Sequence, residues 1–71
     1  MSQLNSTLKG LTVFHRHLKS LAYKFVFTRR AEGVSLFDTH FLAREEFPQL
    51  SGRVIKALIR RADAQLDIPK F

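Results

Sequence analysis

The fold class that this sequence predicts is all-α: a small three-helix bundle in a single domain spanning residues 1–71. Three observations carry it. Apolar residues recur three and four apart over three separate stretches, and at ~100° per residue each stretch acquires one apolar side. Start signals stand ahead of the later stretches, with Gly33 and Pro48 as breaks between them. The connections are short, with no internal repeat or low-complexity tract, which suits antiparallel helices packed as neighbours.

The first helix is expected from about Thr7 to Phe27, with Leu8, Leu11, Phe14, Leu18, Leu21, Ala22, Phe25 and Val26 on one stripe. Asn5 or Ser6 can cap its start. Gly10 weakens the first turns, by up to ~1 kcal/mol relative to alanine. The end is expected between Lys24 and Arg30, where Arg29 and Arg30 favour the negative end of the helix dipole and Gly33 serves as the stop. The alternative is an α+β chain with a short hairpin at 23–38. Tyr23 to Thr28 would pair with Val34 to Asp38, because Phe25 and Phe27 alternate with smaller or polar neighbours. The stripe running unbroken through Phe25 favours the helix.

Ser35 and Asp38 form a capping pattern that predicts a second helix from Leu36 to Glu46. Leu36, Phe37, Phe41, Ala43 and Phe47 are assigned to its apolar arc, from which His40 and Arg44 also project. Pro48 ends it, since proline lacks the N–H and restricts Phe47. Ser51 caps a third helix, Gly52 to about Leu66, with Val54, Ile55, Leu58, Ile59, Ala62 and Leu66 facing inward and Arg53, Lys56 and Arg60 opposite. Asp67, Ile68 and Pro69 terminate it.

Charge divides the chain in two. The formal charge of +6 belongs entirely to the part before Glu32, where Lys9, Arg16, Lys19, Lys24, Arg29 and Arg30 meet no acid. The absence of Cys closes the disulfide route and disfavours the usual zinc sites. A core this small rarely supplies more than roughly 3–5 kcal/mol unaided, so a partner is the remaining support. No Cys nucleophile exists, and Ser, His and Asp occur without triad or elbow context, so no catalytic residues are expected. His15 and His17 point ~200° apart on a helix and cannot share a metal. His15 is read as a partly buried residue of the apolar side, and no metal or directly bound cofactor is expected. The seven Phe residues are read mainly as core filling.

No run approaches the ~20 apolar residues that span a bilayer, and there is no secretory-signal layout. The start is amphipathic, basic and free of acids, as organelle addresses are, and is read as an address that doubles as a structural helix. The first helix is thus expected to dock an acidic protein surface by complementary potential, through Arg16, Lys19, Lys24, Arg29 and Arg30. The alternative is a small nucleic-acid-binding protein using Arg53, Lys56, Arg60 and Arg61. It takes two forms: a helix-turn-helix DNA-binding regulator over residues 36–66, or an RNA-associated subunit. For the second, Ile59-Arg60-Arg61-Ala62 with Pro69 is similar to the C-terminal helix of a small-subunit ribosomal protein. A helix lying on a membrane surface through Lys9, Arg16 and Lys24 is a third, weaker reading.

Three segments together resemble the LYR-motif proteins, small basic three-helix adaptors of mitochondria. Phe14-His15-Arg16-His17-Leu18-Lys19-Ser20-Leu21 stands where that family carries its Leu-Tyr-Arg triplet, with Phe14 for Leu and His15 for Tyr. Arg44-Glu45-Glu46-Phe47 is similar to its Arg-x-Glu-Phe segment, and Leu58 to Leu66 to its Arg-rich, Gln-Leu-containing third helix. The first inter-helix segment is longer than the family's, and the second shorter. The resemblance implies an accessory subunit or assembly factor of a larger complex in the mitochondrial matrix, and otherwise the cytoplasm is the default location. It further implies that Arg16, Lys19 and Arg44 meet an acyl carrier protein, whose acyl-phosphopantetheine enters among Phe14, Leu18, Phe41 and Phe47.

Overall fold

Helix α1 runs unbroken from Ser2 to Ala31, followed by α2 (Leu36–Glu46) and α3 (Gly52–Gln65). The computed structural model describes the backbone of residues 2–68 and the side chains of residues 14–68. The three helices pack against one another, α1 most extensively against α3, and no strand occurs among the described residues. The hairpin alternative at 23–38 is therefore overturned: Tyr23 to Ala31 is helical because Ala22 and Val26, four apart, bury together on one side. Asn5 and Ser6 lie inside α1 and do not cap it. Extending an existing helix adds one hydrogen bond per ordered residue without a second nucleation, so weak formers are carried along.

Both stops share one geometry. At the end of α1 the Gly33 N–H donates to the Arg30 carbonyl (3.1 Å) and the Val34 N–H to the Arg29 carbonyl (3.0 Å). Gly33 supplies the positive φ of +89° that this paired closure needs. After α3 the same pair forms from Asp67 to Ala64 (3.3 Å) and from Ile68 to Asp63 (2.9 Å). There Asp67 takes the left-handed conformation, φ 58°. Pro69 lies outside the described residues. The two later starts are capped as expected: the Ser35 Oγ accepts from the Asp38 N–H (3.1 Å) and the Ser51 Oγ from the Val54 N–H (3.2 Å).

The core joins Ala22 and Val26 of α1, Ala43 of α2, Leu50 of the second connection and Ile55, Leu58, Ile59 and Ala62 of α3. Three alanines among them let the helix axes approach closely. Phe47 seals one edge, its ring meeting Phe25 edge-on at 5.8 Å between centroids. Val54 and Leu66 are half-buried at the margins of α3.

Two expected burials fail. On α2 the inward residues are Thr39 and Ala43, while Phe37 is 77%, Phe41 55% and Leu36 51% exposed. A helix of three turns buries one narrow face, and small side chains fill the close approach to its neighbours where phenyl rings would hold the axes apart. On α1, Phe14 and Leu21 are exposed, as is His15, and the first described side chain packed on the core is Leu18. The 14 residues of α3 span only ~21 Å beside the ~45 Å of α1. Much of α1 therefore projects past the bundle, consistent with a longest dimension of 49 Å against 22 and 18 Å.

Thr39 carries the one buried polar atom without a partner among the described side chains, its Oγ1. Leaving a hydroxyl dry and unpaired costs ~1–3 kcal/mol. Thr39→Val keeps the shape and deletes that cost, so it should stabilise by ~1 kcal/mol and raise the melting temperature by roughly 4–8 °C for a domain of this size. Thermal unfolding followed by circular dichroism checks this, and an unchanged or lower midpoint would show that the hydroxyl is already satisfied.

Candidate partner-binding surfaces

The first candidate surface is the uncovered part of α1. Arg16, Ser20 and Lys24 are each four apart and exposed, forming one ridge, with exposed Lys19 beside it. Phe14 and Leu21, exposed by 53% and 42%, lie on the other side of the helix, ~140–160° around from Arg16 and Lys19. None of Arg16, Lys19 and Lys24 meets a carboxylate among the described residues, where the ion pairs are Arg29–Glu32 and Arg30–Asp63. The result is a projecting helix with unpaired cations on one side and exposed apolar residues on the other.

Arg30 belongs to the fold more than to this surface, and Arg29 is paired with a neighbour at its own helix end, so neither is an unopposed cation. The Arg29 Nε donates to the Glu32 Oε1 at 2.9 Å, and its guanidinium lies over the Phe25 ring, 5.2 Å from the centroid. Arg30 grips Asp63 with two bonds, Nε to Oδ1 at 2.7 Å and Nη2 to Oδ2 at 3.1 Å, and its Nη1 donates to the Val34 carbonyl at 2.9 Å. This clasp ties the end of α1 to α3 and to the turn after Gly33. Residues 30 and 63 are far apart in sequence, and no periodicity announces that they meet.

Arg44 is exposed but leans toward α3: a Cβ built on Gly52 would lie 2.8 Å from its Nη1. His40, beside it, places its Nε2 3.3 Å from the Gly52 carbonyl. Of the four residues expected to contact an acyl chain, Phe14 and Leu18 lie on one line of α1 that continues to Phe25, where Phe47 packs. That line extends ~16 Å along the helix from Phe14 to Phe25, so it is a strip and not a pocket. Phe41 is 55% exposed on α2 and, unlike Phe47, does not pack on the core beside this line.

The second candidate surface lies between α2 and α3, a groove of about 820 Å³. Leu36, Phe37 and His40 form its α2 wall, and Lys56, Ile59 and Arg60 its α3 wall. Arg53, Lys56 and Arg60 are exposed on this outer flank of α3. Arg61 is exposed elsewhere, its guanidinium 5.2 Å from the Tyr23 ring centroid. The sequence pattern hides the groove because it assigns Leu36 and Phe37 to the interior. Among the described residues no group of three metal-binding side chains converges, and no helix is long and apolar enough to cross a membrane.

Comparison with protein families, characterised proteins and solved structures finds no match to this chain. The functional reading therefore rests on the two surfaces themselves.

Proposed function

We propose that this chain is a non-enzymatic adaptor or accessory subunit whose first helix docks an acidic protein partner. The observation that carries the proposal is the ridge of Arg16, Lys19 and Lys24, exposed and without carboxylates among the described residues, on a helix whose other side leaves Phe14 and Leu21 uncovered. Cations alone would suit any polyanion. Uncovered apolar side chains on the other side of the same helix suit a folded acidic partner that wraps α1 and also presents side chains to bury. The resemblance to LYR-motif adaptors makes an acyl carrier protein in the mitochondrial matrix, within a larger complex, the first partner to try. Its acyl chain would then lie along Phe14 and Leu18, with Arg44 at the margin of the contact.

Arg53, Lys56 and Arg60, exposed on one flank of α3, favour nucleic-acid binding as the second reading. A single set of titrations separates the two. Arg16→Glu with Lys19→Glu should weaken binding to a purified acyl carrier protein by about tenfold or more, equivalent to ~1.4 kcal/mol, with helical circular dichroism retained. Unchanged affinity counts against docking through α1. Binding of an RNA or DNA oligonucleotide in its place, falling steeply with salt as phosphate contacts require, would install the second reading.

A further inference from the structure

We infer that the groove between α2 and α3 is a second docking site, built to receive an acidic amphipathic helix from a partner protein. It uses none of the α1 ridge and so stands apart from the reading above. The first argument is exposure. Phe37 is 77% and Leu36 51% exposed, Phe37 the most exposed large apolar side chain among the described residues, and they stand on one wall of a groove of about 820 Å³. Side chains of this size gain ~1.5–3 kcal/mol each when fully buried, so a face that leaves them wet is one awaiting a cover.

The second argument is charge. Lys56 and Arg60 on the opposite wall are exposed and have no carboxylate among the described residues, while Asp63, the acid that also lines the groove, is held by Arg30. Apolar contacts on one wall and free cations on the other complement a helix that carries Leu or Ile on one face and Glu or Asp on its edge. Two further facts select the occupant. A ring as exposed as Phe37 is covered by a body ~10 Å across, as a helix is, whereas a thin acyl chain in the groove leaves it in water. A two-fold dimer closing on this groove would bring the Lys56 and Arg60 of each copy to one seam, which opposes association.

The probe is a synthetic helical peptide of about five turns (~18 residues), with Leu at three-and-four spacing and Glu flanking the Leu face. It is titrated into the isotope-labelled full chain and followed by amide chemical shifts. Shifts should centre on Leu36, Phe37, Lys56 and Arg60. Phe37→Ser, at a site too exposed to unsettle the core, should weaken binding about tenfold or more, as truncating an aromatic anchor does. Lys56→Glu with Arg60→Glu should do the same, whereas Arg16→Glu with Lys19→Glu should leave the affinity within about twofold. The inference is overturned by shifts confined to α1, or by equal binding of a peptide with Lys in place of Glu. It is equally overturned if decanoate or an RNA oligonucleotide moves these amides and the peptide does not, or if the groove closes by concentration-dependent dimerisation.

Discussion

Ile55→Ala will leave a large fraction of this chain unfolded in water at 25 °C. Ile55 is fully buried in the first turn of α3 and belongs to one core with Ala22, Val26 and Ala43. Removing its outer carbons forfeits their transfer energy and leaves a cavity that rigid neighbouring helices fill only in part, at a cost of ~2–5 kcal/mol. A single core in a chain of this length holds only roughly 3–5 kcal/mol, so the loss is comparable to the whole. Ile55→Val, at ~0.5–1.5 kcal/mol, should remain folded. Urea titrations of both variants, followed by helical circular dichroism, check the pair. A two-state midpoint for Ile55→Ala close to that of the parent would mean that the centre of the bundle lies elsewhere.

The second large effect is expected from Asp63→Ala. The Arg30 and Asp63 side chains are only 13% and 16% exposed, so the carboxylate is the guanidinium's chief compensation for lost water. Without it Arg30 retains the Val34 carbonyl but remains a half-satisfied charge, and the destabilisation should reach ~2–4 kcal/mol, a little under that of a fully buried pair. Removing both charges should cost far less: Arg30→Met with Asp63→Leu should recover all but ~1 kcal/mol. Added salt should weaken the parent's clasp little, since it is shielded from solvent. A chemical-denaturation cycle over the four proteins measures the coupling. Additive losses would show that the two side chains do not depend on each other.

The limits of α2 and α3 are legible in the sequence because local chemistry sets them. A serine oxygen three residues ahead of a free N–H and a proline after Phe47 need no tertiary information. The inward stripe of α3 is legible for a similar reason, since its four buried apolar residues leave no second orientation that hides as much. On α2 the pattern misleads. Its largest apolar residues outvote Thr39 and Ala43 in any periodicity count, yet close approach to two neighbours selects the small side chains. The charge division at Glu32 correctly singles out Arg16, Lys19 and Lys24 as unopposed cations. It overstates Arg29 and Arg30, because Glu32 lies within one helical turn of Arg29 and Asp63 reaches Arg30 once the chain turns back. The groove is illegible for both reasons at once: it exists only where a misassigned helix face meets a cationic flank.

The projection of α1 beyond its neighbours has a thermodynamic corollary. The rod that reaches out also supplies Ala22 and Val26 to the interior, so whatever grasps the outer portion favours the native state of the whole chain. A ligand present at a hundred times its dissociation constant contributes ~2.7 kcal/mol by mass action, on the order of everything so small a nucleus provides alone. Abundance in the cell would then track the supply of its companion, with solitary copies opening often enough to be cleared by proteolysis.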